Sequence, residues 1–203
     1  MTAITRRPMR TVVAGALCLV ILSGMMVLHA LPLWTGQAML LPVVPSDPRA
    51  PFHGEYVLLD TPSTRLRIAG DPTAGNLPDA VAVAAVGTWW SDLGGDRPAR
   101  SRALRTRIVY VQFEARGAEH HAVSISDRPI AGALNLRGRV LWFDAESGDL
   151  MINYGLSRYY LQEGTAGPVE DALRRQRRVQ MELAVTPSGR ARVRHVLVDG
   201  VPL

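Results

Sequence analysis

The chain is expected to fold as an N-terminal membrane-spanning helix followed by a mainly β domain of β-rich α+β class. Three observations lead there. Residues 11–33 read TVVAGALCLVILSGMMVLHALPL, with no Asp, Glu, Lys or Arg, and about 20 apolar residues at ~1.5 Å rise each cross the hydrocarbon of a bilayer. Beyond Arg107, short runs of alternating apolar and polar residues are separated by Gly, Pro, Ser and Asp, which is the period-two pattern of half-buried strands. Helix-start signals past the apolar run are confined to two places, Asn76–Asp79 and Pro168. The implied organisation is a cytoplasmic N-terminus over 1–10, an anchor over 11–33 and an extracytoplasmic domain over 34–203.

The anchor comes first. Arg6, Arg7 and Arg10 precede it and Trp34 follows it, so positive-inside sorting leaves the N-terminus in the cytoplasm and sets an aromatic ring at the outer interface. Gly36-Gln37-Ala38 is a small-x-small triplet of the kind a signal peptidase cuts. The apolar run before it exceeds the ~7–15 residues of a cleavable signal, which favours an uncleaved single-pass anchor. Cys18, the one cysteine, lies inside that run after Leu17 rather than after a small residue, so it is no lipoprotein signal and leaves the outer domain without a disulfide or thiol nucleophile. All 23 basic residues are Arg. The absence of Lys fits a codon-biased bacterial genome and excludes Schiff-base and Ser-Lys chemistry. The expected location is therefore the bacterial cytoplasmic membrane, with the domain outside the cytoplasm.

Charge excludes a further class. The formal charge is +5, yet three of the arginines flank the anchor, and residues 39–203 balance 20 Arg against 18 Asp and Glu. A near-neutral domain lacks the basic footprint of a nucleic-acid binder.

In the outer domain, Met39–Val44 reads as a short strand ended by the turn Pro45-Ser46-Asp47-Pro48. Tyr56–Asp60 reads as a second, entered through Gly54 and closed by Thr61-Pro62-Ser63. The stretch AVAVAAVGTWWSDL after Asp79 is apolar nearly all round and fits either a buried helix or a strand. Gly94-Gly95-Asp96 and the following RPARS read as loop. Three hairpins follow: 108–115 with 121–126, 139–144 with 149–156, and 179–185 with 190–199. In the last, Val179, Met181, Leu183 and Val185 share one face. Between the second and third, PVEDALRRQRR reads as a short helix with acids in its first turn and arginines in its last.

Chemistry is sparse. The histidines 29, 53, 120, 121 and 195 show no metal-ligand spacing, and His195 shares strand parity with Val193 and Leu197, which suggests a half-buried ring. No cofactor motif is present. A hydrolase would have to use carboxylates such as Glu55, Asp144 and Glu163, two of them ~5–9 Å apart across a cleft. The densest polar-aromatic stretch is YGLSRYYLQEG, where Arg158, Tyr159 and Tyr160 are the candidates for partner contact. The arginines 174, 175, 177 and 178 form a cluster suited to anionic headgroups or an acidic loop.

Four stretches, VVPSDPRAPFHGEYVLLD, the RGRV of 137–140, YGLSRYYLQEG and GRARVRHVLVDGVPL, together with the single anchor, resemble the GDYXXLXY membrane proteins. The residues carrying the resemblance are Asp47, Arg49, Gly54, Glu55, Tyr56, Leu59, Tyr154, Gly155, Tyr159, Glu163 and Gly164. Glu55 stands where the signature has Asp, and Thr61 where it has its final Tyr. The resemblance implies no activity. It implies an accessory or scaffold domain docking on a polytopic membrane protein and tied to the lipid bilayer through the helix.

Overall fold

The protein is represented by a computed structural model that describes residues 7–45, 56–68, 80–87, 89, 96–145, 147–156, 158–160 and 166–202. Helix α1 (Arg7–Thr35) leads into strands β1 (Gln37–Pro42), β2 (Val44–Pro45) and β3 (Tyr56–Asp60), then a 3-10 turn η1 (Pro62–Thr64). Strands β4 (Arg65–Ile68) and β5 (Val81–Ala85) precede helix α2 (Arg97–Leu104). The chain continues through β6 (Ile108–Arg116), β7 (Glu119–Ser126), β8 (Leu134–Phe143), β9 (Asp149–Asn153) and β10 (Arg158–Tyr160). Helix α3 (Ala166–Arg174) and strands β11 (Val179–Val185), β12 (Ala191–Val198) and β13 (Val201–Pro202) complete it.

Within α1, Thr11–Thr35 is long and apolar enough to cross a membrane. At ~1.5 Å per residue it spans more than the ~30 Å of hydrocarbon. Its Val, Leu, Ile and Met side chains are exposed, and only its C-terminal end meets the strands β11 and β12. A core helix would be packed on one face; this one offers apolar groups all round, as lipid requires.

The strands form three sets. β4-β5-β7-β6-β8-β9 closes into a barrel, β1-β11-β12-β13 forms a four-stranded sheet, and β10-β3-β2 a small third sheet. Alternation explains the barrel filling: along β6, Val109, Val111 and Phe113 point inward while the residues between them are partly exposed. They meet Leu66, Val83, Leu136, Val140, Leu150 and Ile152, and this core runs on into Met39, Leu41, Met181 and Leu183 of the four-stranded sheet. The sheet meets the barrel where the Leu40 N–H donates to His120 Nδ1 at 3.2 Å.

The expected hairpins form, and the structure decides or corrects other expectations. Val81–Ala85 is a strand, parallel to both neighbours; its outward positions, Ala82 and Ala84, are alanines, which is why the stretch looked apolar throughout. The helix start expected at Asn76–Asp79 lies outside the described residues, and the segment after it is this strand. Residues 97–101, expected as loop, belong to helix α2. Asp96 caps it by accepting the Ala99 N–H at 3.0 Å, Pro98 sits in the first turn, and Leu104 buries completely. Helix α3 begins at Ala166, so Glu170 and Asp171 fall beyond its first turn. It ends at Arg174, and two residues on, Gln176, with φ of 53°, turns the backbone so that Gln176 N–H reaches Leu173 O and Arg177 N–H reaches Ala172 O.

His195 is exposed, not half-buried. Glu182 pairs with His195 and Leu183 with Val193, leaving Arg194 as an extra residue. This β-bulge shifts the parity of β12 so that Val196 and Val198 face the core.

Three described non-glycine residues, Thr106, Gln176 and Asp199, have left-handed backbone, and Thr106 is the β-branched one. Thr106, a β-branched residue, has φ of 70° where the chain leaves α2 and its N–H bonds Val140 O. Left-handed backbone costs an L residue about 1–2 kcal/mol, a cost glycine escapes. Thr106→Gly should therefore raise stability by about 1 kcal/mol in chemical denaturation; unchanged or lower stability would show that the threonine side chain contributes more than its backbone costs.

Candidate functional site

Two of the resembling stretches become neighbours. β3, from the signature, pairs antiparallel with β10, from YGLSRYYLQEG: Arg158 opposes Leu58, Tyr159 opposes Val57 and Tyr160 opposes Tyr56. On its other edge β3 pairs with β2, Val44 opposing Asp60 and Pro45 opposing Leu59. The backbone of Tyr56, Leu59, Arg158, Tyr159 and Tyr160 is described. Asp47, Arg49, Gly54, Glu55, Glu163 and Gly164 lie outside the described residues.

The signature ends in a polar corner. Asp60 Oδ1 accepts the Thr61 N–H at 2.9 Å and the Thr64 hydroxyl at 2.8 Å, while Oδ2 accepts Arg65 Nη2 at 3.1 Å. Its carboxylate is thereby committed to holding η1. Tyr154, from the second stretch, donates its hydroxyl to Ser63 O at 2.8 Å, and burial pushes its phenol pKa up. The third stretch, RGRV, joins here. A Cβ on Gly138 would collide with Ile152 Cγ2 and lie 2.9 Å from the Tyr154 ring, so only glycine lets that ring seat. Gly155, with φ of 75°, turns the chain after it, its N–H bonded to Asn153 Oδ1 at 2.7 Å. Tyr154 is thus a structural tie, not a contact residue.

A pocket of about 240 Å³ opens beside this corner, lined by Asp60, Thr61, Arg65, Leu141, Leu156 and Met181 among others. Thr61 is buried at 3% exposure and its hydroxyl has no hydrogen-bond partner among the described residues. Ligand sites usually exceed ~300 Å³ and hold convergent free polar groups. Here the volume is smaller and the Asp60 carboxylate is already engaged by Thr61, Thr64 and Arg65.

Of the carboxylates considered for hydrolysis, Asp144 alone lies among the described residues; Glu55 and Glu163 fall outside them. Asp144 sits in the β8–β9 turn, accepting the Ser147 hydroxyl at 2.9 Å. Asp149, fully buried and alone in that among the acids of the described residues, has no sequence signal; Arg67 Nε meets it at 2.7 Å across β4 and β9, and this hydrogen bond holds the guanidinium pKa above its ordinary value. No group of three His, Cys, Asp or Glu side chains converges among the described residues. The arginine cluster after α3 is largely engaged as well. Arg177 pairs with Asp199 at 2.6 Å and holds that carboxyl below its usual pKa, Arg178 pairs with Glu119 at 3.1 Å, and Arg174 lies 3.6 Å from Asp171.

The other feature that sequence reading missed is at the helix–domain junction. Gly36 alone separates α1 from β1. The bulge residue Arg194 reaches across to it: Nε donates to Leu33 O at 3.1 Å, Nη2 donates to Leu33 O and to Gly36 O, the latter at 3.2 Å, and Nη1 lies 3.5 Å from Glu182. Carbonyls at a helix C-terminus lack intrahelical donors and carry the negative end of the dipole. A guanidinium held by a carboxylate satisfies both needs.

Substitutions at the Tyr154 seat should separate these roles. Tyr154→Phe loses one hydrogen bond and should cost about 1 kcal/mol, whereas Gly138→Ala forces a clash and should cost about 1–3 kcal/mol. Thr61→Val, which removes an unpartnered buried hydroxyl at equal shape, should leave the melting temperature unchanged or raise it. A marked loss in the valine protein would reveal a partner for that hydroxyl.

No curated protein and no solved structure matches the chain. Residues 18–196 match the model of the GDYXXLXY protein family, a span that takes in the second half of the helix, the barrel and nearly all of β12. The chain belongs to the GDYXXLXY family.

Proposed function

We propose that the protein is a non-enzymatic accessory domain held against the outer face of the cytoplasmic membrane, where it docks on a membrane-protein partner. The observation that carries this reading is the junction. A membrane-length helix passes into the domain through one residue, and Arg194 bonds the helix end to the sheet. A domain that worked on soluble substrates would gain nothing from such a mount; one that must meet a partner embedded in the same bilayer gains a fixed height and orientation. Arg6, Arg7 and Arg10 support an inside N-terminus. Because β1 starts at Gln37 and inserts Met39 and Leu41 into the core, the Gly36-Gln37-Ala38 triplet is drawn into a folded sheet, which supports an uncleaved anchor.

Placement and coupling can be measured separately. A C-terminal reporter active only outside the cytoplasm should be active, and the protein should stay in membranes through an alkaline wash. Mature protein starting near Met39 would overturn the anchor reading. For coupling, a flexible Gly-Ser insertion after Gly36 should leave the domain's melting transition in place yet remove site-specific crosslinks from the domain to its membrane partner. Crosslinks that survive the insertion, or an activity lost on neutralising a single carboxylate, would overturn the accessory role.

A further inference from the structure

We infer that the β11–β12 turn and the adjoining half of β12 rest on anionic phospholipid headgroups, a contact that depends on α1 crossing the bilayer as proposed above. Proximity is the first ground. Arg194 touches the backbone of Leu33 and Gly36, so β12 lies within one side chain of the helix end. Ala191 opposes Val185, which opposes Gln37. At ~4.8 Å per strand spacing, Ala191 is about 10 Å from Gln37, the first residue of β1. Trp34, in the last turn of α1, is 73% exposed, and an exposed tryptophan at that point marks the headgroup level.

Charge is the second ground. Between Glu182 and Asp199 the chain has Arg190, Arg192, Arg194 and His195 and no acid. Arg190 and Arg192 are exposed, and neither guanidinium has a carboxylate partner among the described residues. Arg177 and Arg178, at the opposite end of β11, are both paired. They lie about 20 Å along the strand from the residue opposite Gln37. On this strand pair the arginines near the helix end are therefore the ones left without a carboxylate among the described residues. A guanidinium fork matches phosphate oxygens, and each basic residue beside an anionic leaflet is worth about a fivefold preference. Arginines also guard an open strand edge against pairing, a role that lipid charge does not alter.

The test uses the full chain reconstituted in phosphatidylcholine bilayers that contain a trace of spin-labelled phosphatidylglycerol or phosphatidylcholine. Electron spin resonance reads the fraction of each label immobilised at the protein. The native chain should prefer phosphatidylglycerol several-fold, less so at high salt. R190Q/R192Q should lose about fivefold or more of that preference, while R190K/R192K and R174Q/R175Q should keep it. An R190Q/R192Q protein with undiminished preference would overturn the contact, as would a native chain with no preference, whose arginines would then face an acidic protein surface. If neither label is immobilised, α1 is not in the bilayer, and the reading on which this inference rests falls with it.

Discussion

A strand that must begin one residue after a membrane-length helix is the constraint on which the rest of the arrangement depends. Gly36 leaves no linker to absorb a change of direction, so the first core residues, Met39 and Leu41, are positioned by where the helix ends. The sheet answers with a device of its own. One extra residue in β12 turns Arg194 out of the core alternation and towards the helix terminus, where it meets carbonyls that no helical N–H can reach. Without the bulge the register of β12 would change and the junction would lose this side-chain bond to the sheet.

The second tie is Tyr154. Its ring rests against Gly138 of β8 and its hydroxyl holds η1, which the signature strand enters through Asp60. Three stretches that look like separate motifs in the sequence are thus parts of one packing arrangement. That changes what the resemblance to the family means. Residues that recur together for this reason report a shared fold, and a shared fold does not by itself imply a shared reaction.

Much of this was legible in the sequence because it is local. The membrane-length helix announces itself by its apolar run, and the hairpins by period-two alternation broken at Gly117, Gly148 and Gly189. What was not legible depends on contacts across the chain. Helix α2 was hidden because Gly-Gly-Asp and Pro read as loop chemistry, although Asp96 and Pro98 serve equally as a cap and a first turn. The exposure of His195 followed from a single unpaired residue, and strand parity inverts with any such insertion. The Arg67–Asp149 pair joins residues 82 apart in sequence, a separation at which nothing in either neighbourhood predicts the other. The arginines after α3 misled for the same reason: their density was visible, but the acids that neutralise them, Glu119 and Asp199, come from other elements.

That neutralisation divides the sheet by charge. At the β11 end remote from the helix, Arg177 and Arg178 meet carboxylates of the same chain, so the fold supplies its own balance there. At the end beside the helix, Glu182 is already engaged with Arg194, and no further acid appears on β12 before Asp199. A near-neutral domain with one balanced end and one unbalanced end has a direction. The unbalanced end is the one joined to the membrane-length helix. Local complementarity of this kind needs no net charge on the domain, which is why a count of arginines and acids over the whole chain does not reveal it.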